Sequence, residues 1–289
     1  MMTRRVLVLS IVVALLSTLG QLSSTIFTPL SEAMAAELAV ETPRIALLVS
    51  AFLFAFALSQ LISGPVGDAL GYRATILASI ALFTAASVYA AFAPGFTDLM
   101  IARILQGLGA GPALILSRAV LTMEVPRQAL TAAFAVQNMV FAIVPALAPL
   151  LGAGLGTSLG WRSAFIATAV LAVGIGLVTI PLLFNGRPRR AARRDGAGGF
   201  PAVRVALWAL IGAVVYAPVF VSGGLLPALL ADQLGWTPGV LAAITTGGVA
   251  CFVAGGGVIA LLDRYATWTA AAVTAGLTVT LLILMPAAS

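Results

Sequence analysis

Two charged clusters interrupt an otherwise apolar chain. The first is Gly64-Pro-Val-Gly-Asp68-Ala-Leu-Gly71-Tyr-Arg73, a polar stretch between two apolar runs at residues 44–63 and 74–92. Its carboxylate can pair with Arg73 or with an Arg on a neighbouring segment. The second is Arg103-Ile-Leu-Gln106-Gly107-Leu-Gly109-Ala-Gly111, which sets a guanidinium inside an apolar run. Such a charge is expensive and normally faces a cavity or a partner. Arg103, Gln106/Gly107, Ala110 and Ser117 recur at helical spacing, so one face there is polar and small. The alternative is that Arg103, five residues past Asp98, snorkels to the outer interface. Groups of these kinds bind and pair charges; they do not make an enzyme. There is no His, the one Cys (Cys251) lies in an apolar run, and no nucleophile–base pair, metal cluster or phosphate-binding loop can be drawn. No cofactor is expected.

Further polar positions lie within apolar runs. Ser10, Ser17, Gln21, Ser24/Thr25 and Thr28 form a stripe with spacings of seven, four, three and four. It is a candidate cavity lining, although a hydroxyl can also bond its own helix backbone. Gln137 and Asn138 are adjacent amides, at least one of which is expected to face the cavity. Tyr216 and Phe220, one turn apart, could stack on an aromatic or cationic substrate or simply face lipid. Pro145 and Pro149, followed by Gly152, predict a kinked and closely packed helix.

The elements that must position these groups are transmembrane helices. Hydrophobic residues make up 61% and charged residues 8% of the 289, against ~25% charged in a soluble domain. Nine apolar spans can be drawn, at 6–29, 44–63, 74–92, 98–122, 129–152, 163–184, 203–230, 239–262 and 266–286. Spans of this length are helical in lipid, and the alternation of a membrane β-barrel is absent. The fold class is therefore an all-α membrane protein. The run from Val6 is too long for a cleaved leader and is read as the first span.

All fifteen basic residues are Arg, and five lie between Arg187 and Arg194. Arg4, Arg5, Arg73, Arg118, Arg127 and Arg264 fall on the same side of the predicted topology as that cluster. Glu32, Glu37, Glu41, Asp98 and Asp232 fall opposite, with Arg162 as an exception. The positive-inside rule places the amino terminus in the cytoplasm. The basic balance is thus a topology signal rather than a nucleic-acid patch. The chain divides into a six-span unit at 1–184, an Arg/Gly-rich linker at 185–202 and three spans at 203–289. The second unit repeats marks of the first: Pro29 and Pro227, Leu38-Ala-Val-Glu-Thr-Pro and Leu234-Gly-Trp-Thr-Pro, Asp68 and Asp263. A full second repeat would end near residue ~385, so a fragment or a truncated form lacking three spans is expected, or a partner that supplies them.

The spacing Gly64-x-x-x-Asp68-x-x-Gly71-x-Arg73 resembles the loop between helices 2 and 3 of major facilitator superfamily transporters. Arg103-x-x-Gln106-Gly107, with Arg118 further along the same span, resembles that family's helix-4 motif. Pro145-x-x-x-Pro149-x-x-Gly152, followed by Trp161-Arg162-x-x-Phe165, resembles helix 5 and the entry to helix 6 of its drug:proton antiporters, in the form of the bicyclomycin and chloramphenicol resistance branch. The resemblance implies two six-helix bundles rocking about a central site in a bacterial inner membrane. The cytoplasmic hinge would latch one access state, and Arg103 would take part in proton transfer. Partners would be the lipid bilayer, a small-molecule substrate and protons, with no nucleic acid. The sequence departs from the family at Ala69 and Tyr72, where bases are usual, in lacking the fuller Gly-Pro helix-5 motif, and in having no acid within span 1. Two other expectations stay open: an uptake symporter for sugars or metabolites, and a truncated, non-transporting membrane protein.

Overall fold

Backbone polar groups in a bilayer need internal partners, and over the residues described the chain supplies them with helices alone. The computed structural model describes residues 4–184, apart from the side chains at 4–5, 141–142, 145–146 and 182–184. The described residues fall within one compact unit. The linker at 185–202, the spans expected at 203–289, and Tyr216 and Phe220 with them, lie outside the described residues.

Seven α-helices follow one another: α1 Arg4–Thr25, α2 Ser31–Glu37, α3 Thr42–Leu70, α4 Tyr72–Ala91, α5 Phe96–Glu124, α6 Arg127–Leu159 and α7 Arg162–Phe184. A short 3₁₀ turn, Thr28–Leu30, joins α1 to α2. The long helices α1 and α3–α7 correspond to the first six expected spans. Gly71 (φ +89°) and Gly160 (φ +78°) end α3 and α6 in a conformation that L side chains rarely adopt. Their N–H groups donate to the carbonyls of Gly67 and Gly156, four residues back.

Five stretches are long and apolar enough to cross a membrane: Val6–Glu37, Thr42–Leu70, Tyr72–Ala91, Phe96–Glu124 and Arg162–Pro181. Helix α6 has 33 residues, about 50 Å at ~1.5 Å per residue. The outside of the bundle is oily: Phe54, Leu61, Phe92, Leu150 and Leu159 are 70–78% exposed. The inside holds Arg103, Gln106, Gln137 and Ser87 at 0% exposure. That distribution suits lipid as the solvent, and the protein is a multi-pass membrane protein.

Helix α5 packs against α3, α4 and α1, while α1 also packs against α6 and α7. Glycines on α5 permit the close approach. A Cβ on Gly107 or Gly111 would run into the α3 backbone at Phe52 or Phe56, and one on Gly109 into α4 at Phe83.

Two sequence expectations are corrected. Gly64–Leu70 is not a loop: α3 runs through Pro65 and Asp68, and the turn is confined to Gly71. Gly64 therefore makes no turn; it sits in open helix surface, with nothing within 4 Å of a Cβ placed there. Proline breaks soluble helices, yet a freed carbonyl within a bundle is re-satisfied locally. Likewise span 1 is not one helix ending at Pro29. Helix α1 stops at Thr25, and the chain turns through Thr28–Leu30 into α2. Pro29 has no N–H to extend the α1 ladder.

Candidate functional site

The most unusual side chain is Arg103, on the second turn of α5 and fully buried. It does not snorkel. Nη1 donates to Ser23 Oγ and to Gln106 Oε1, both at 2.8 Å, and Nε donates to the Leu48 carbonyl at 3.4 Å. Nη2 is buried without a hydrogen-bond partner. No carboxylate among the described residues pairs with it. The guanidinium carbon instead lies 4.3 Å from the ring centroid of Phe52 and 4.7 Å from that of Phe27. Helices α1, α3 and α5 thus each contribute to one buried cation.

Gln106 is held from the far side. Its Nε2 donates to Ser87 Oγ on α4 at 2.8 Å, and Ser87 spends its own proton on the Phe83 carbonyl at 2.7 Å. The order fixes the amide: its oxygen must face Arg103. Gly107 has no site of its own; it allows α3 to lie against α5 beside the cluster. Arg118, about four turns beyond Arg103 on α5, is half-buried.

The span-1 hydroxyls mostly bond their own helix. Ser10 donates to the Val6 carbonyl, Ser17 to Val13, and Ser24 and Thr25 to Gln21. Gln21 itself is half-buried, and Thr28 is exposed in the 3₁₀ turn. Ser17 also accepts from Gln137 Nε2 on α6 at 2.6 Å. Gln137 is buried, and its neighbour Asn138 is exposed. Pro145 and Pro149 both lie within an unbroken α6; the Pro145 side chain is outside the described residues, and Pro149 is half-buried. Gly152 lets α6 meet the end of α1, since a Cβ there would strike the Ile26 carbonyl.

At the α3–α4 turn Asp68 accepts a 2.6 Å hydrogen bond from Tyr72. The tyrosine that departs from the family pattern is thus the acid's partner. Gly67 makes room for the Tyr72 ring, 2.8 Å from a Cβ placed there. At the opposite end, Glu37 accepts from Trp161 Nε1 at 2.6 Å and pairs with Arg162. Arg162 Nη2 also donates to the Ala93 carbonyl at 3.2 Å. This rim clasp joins α2, the α4–α5 turn and the α6–α7 turn.

Sequence reasoning passed over Ser23, Ser87, Phe27, Phe52 and Glu37. Ser23 differs from the candidate Ser24 by one position, about 100° around a helix. The two Phe carry no signal in an apolar run. Only the place of Arg103 inside an apolar run hinted that it needs partners from other helices.

Among proteins of known name, Multidrug resistance protein D of Escherichia coli (strain K12) is 31% identical over 185 residues, 64% of this chain and 47% of that protein. An uncharacterized MFS-type transporter, YdgK, of Bacillus subtilis (strain 168) is 34% identical over 146 residues, 50% and 36% of the two chains. Multidrug resistance protein MdtL of Escherichia coli is 29% identical over 162 residues, 56% and 41%. Each alignment covers less than half of the relative's length. Among solved structures, the MFS proton:xylose symporter XylE bound to 6-bromo-6-deoxy-D-glucose matches with TM-score 0.68 at 13% identity, over 89% of this chain and 69% of that one. The inward-open xylose transporter XylE from E. coli matches at 0.56 and 16%, over 91% and 69%. Identities this low show the fold alone. The family model described as Major Facilitator Superfamily matches residues 7–289, and with that match over nearly the whole length the chain belongs to the Major Facilitator Superfamily.

Proposed function

We propose that the chain works in secondary active transport, exporting drugs or small metabolites by alternating access with proton entry as the driving force. The observation that carries this is the Arg103–Gln106–Ser87 network with Ser23: a buried charge held in a network of neutral groups from three helices. A protein with only a structural bundle to build would not place such a cation there, because its burial costs several kcal/mol unless paired. Relatives named for multidrug resistance favour export over uptake. The likeness to a proton:xylose symporter supports the fold and leaves the direction to those relatives.

In this reading residues 1–184 form the amino-terminal bundle, 185–202 a cytoplasmic linker and 203–289 part of a second bundle. The membrane is the bacterial inner membrane, with the amino terminus and the α3–α4 turn in the cytoplasm, as the placement of Arg73 and Arg127 supports. Gln21, Gln137, Tyr216 and Phe220 are proposed to face the substrate path. The substrate is a small cationic or aromatic molecule.

Ethidium accumulation in cells expressing the chain tests it. Accumulation should fall below the vector control, return to it with an uncoupler, and return to it with Arg103→Gln. Equal accumulation in chain and vector cells would overturn export and leave the membrane protein without transport.

A further inference from the structure

Arg103 poses a problem that its hydrogen bonds do not solve. One of its two terminal nitrogens is well satisfied, Nε makes a long bond, and Nη2 makes none. All the acceptors are neutral. What surrounds the charge in addition is aromatic: Phe27 and Phe52, both 0% exposed, present their rings to the guanidinium at 4.7 and 4.3 Å. A ring face carries partial negative charge, and its attraction for a cation grows when water is excluded.

The location of Phe27 follows from the break in the first membrane segment. It lies after α1 has stopped at Thr25, with φ −94° and ψ −2°, just before the 3₁₀ turn. Its ring is in turn held by others. Phe27 stacks on Phe165 at 5.8 Å and 24°, and Phe165 meets Trp161 edge-on at 6.0 Å and 86°. Trp161 donates to Glu37, and Arg162 lies 4.2 Å over its ring. A continuous column therefore runs from the buried guanidinium to the rim clasp. It joins Phe27 and Arg103 to the Trp161–Phe165 pair, three places far apart in sequence. Phe52 is fixed separately, stacked on Phe56 at 5.8 Å and 11°.

We propose that Phe27 and Phe52 are positioning residues that hold Arg103 charged and oriented in place of a counter-carboxylate, and that Phe165 and Trp161 fix Phe27 from the outer rim. Ring-face electrostatics, beyond mere packing, are what Phe27 and Phe52 supply. The role in transport rests on the function proposed above; the placement of the charge does not, and the two are separable by experiment.

The test uses the full chain purified in detergent. Thermal unfolding is followed by circular dichroism for Phe27→Leu in the parental and Arg103→Gln backgrounds. The loss of Tm should be at least twice as large when Arg103 is present; equal losses overturn the proposal. Phenylalanines carrying one, two and three ring fluorines at position 27 then weaken the ring's negative face at nearly constant shape, which keeps the test alive if Phe27→Leu fails to fold. Tm should drop stepwise with fluorine number in the parental background and stay flat with Arg103→Gln. Parallel slopes in the two backgrounds would show simple packing and refute the inference. In the ethidium assay the same series should lower maximal efflux stepwise, by about tenfold at three fluorines, with little change in the concentration at half-maximum. If the parental chain exports nothing, the proposed function fails, and the two melting series alone decide the aromatic bracket.

Discussion

Gly107→Ala should destabilise the bundle, whereas Gly64→Ala should stabilise it, although both glycines sit inside helices. A Cβ on Gly107 would overlap the Phe52 carbonyl and lie 2.9 Å from both Ala55 Cβ and Phe56 N. Carbon contacts settle near ~3.5–4.0 Å, so α3 and α5 must part by roughly 1 Å. The obstacle is backbone, which cannot rotate aside. Overpacking of this kind costs about 1–3 kcal/mol, and the better helix propensity of Ala offsets roughly 1 kcal/mol. With the upper end of that range for an obstacle that cannot move, the net loss is on the order of 2 kcal/mol, with Tm falling by about 4–8 °C at roughly 2–4 °C per kcal/mol. Gly64 has no atom within 4 Å of its would-be Cβ, so only the propensity gain remains, roughly 0.5–1 kcal/mol. Thermal unfolding in one detergent, followed by circular dichroism, compares the two variants with the parent. The same shift would carry the Phe52 ring away from Arg103, so Gly107→Ala should also lose transport while Gly64→Ala keeps it. A Gly107→Ala chain as stable as the parent would refute the backbone contact, and with it the registry of α3 on α5.

Three further outcomes follow from the polar contacts. Gln137→Leu breaks the bond to Ser17 and should cost about 0.5–1 kcal/mol by melting, whereas Asn138→Leu, on the exposed side, should stay within about 0.5 kcal/mol; equal effects would contradict the placement of α6. Glu37→Gln can still accept from Trp161 but loses the ion pair, and with both partners partly exposed (52% and 34%) its cost should remain below about 1 kcal/mol, while Glu37→Ala should cost more in the same melting assay. For topology, in a Cys251→Ala background an impermeant maleimide added to intact cells should label a cysteine at exposed Glu32 and spare one at exposed Asp68; the opposite pattern would invert the orientation.

The six long helices were legible because apolar runs of ~20 residues leave the backbone few choices in lipid. Their ends were less so. Gly64 and Pro65 read as a turn under rules learned from water, where Pro costs a helix several kcal/mol; in a bundle the helix runs on to Gly71, the first residue that needs a positive φ. The sequence posed the question of Arg103, cavity or interface, because a guanidinium inside a span is conspicuous. It could not name the partners. Phe27 and Phe52 look like any other apolar bulk, and Ser23 and Ser24 differ only by rotation around α1. Glu37 looked like a loop acid because nothing in the sequence shows α2 meeting the α6–α7 turn.

One regularity explains what was legible and what was not. Short hydroxyl side chains inside the spans turn back on their own helix: Ser10, Ser17, Ser63, Ser79, Ser87, Thr168 and Thr179 all donate to a carbonyl three or four residues behind. Such bonds satisfy the hydroxyl proton and leave its lone pairs facing outward. Long side chains then cross between helices and use those lone pairs. Gln137 finds Ser17 and Gln106 finds Ser87 in this way, and Arg103 also donates to a serine of another helix, Ser23. A back-bonded buried Ser such as Ser17 or Ser87 can thus accept from an amide on another helix, and its partner is decided by helix rotation rather than by sequence spacing. Three such pairs meet α5 or α6 from α1 and α4. Ser23 and Ser87 belong to no motif, so the position of Arg103 depends in part on residues that no motif contains.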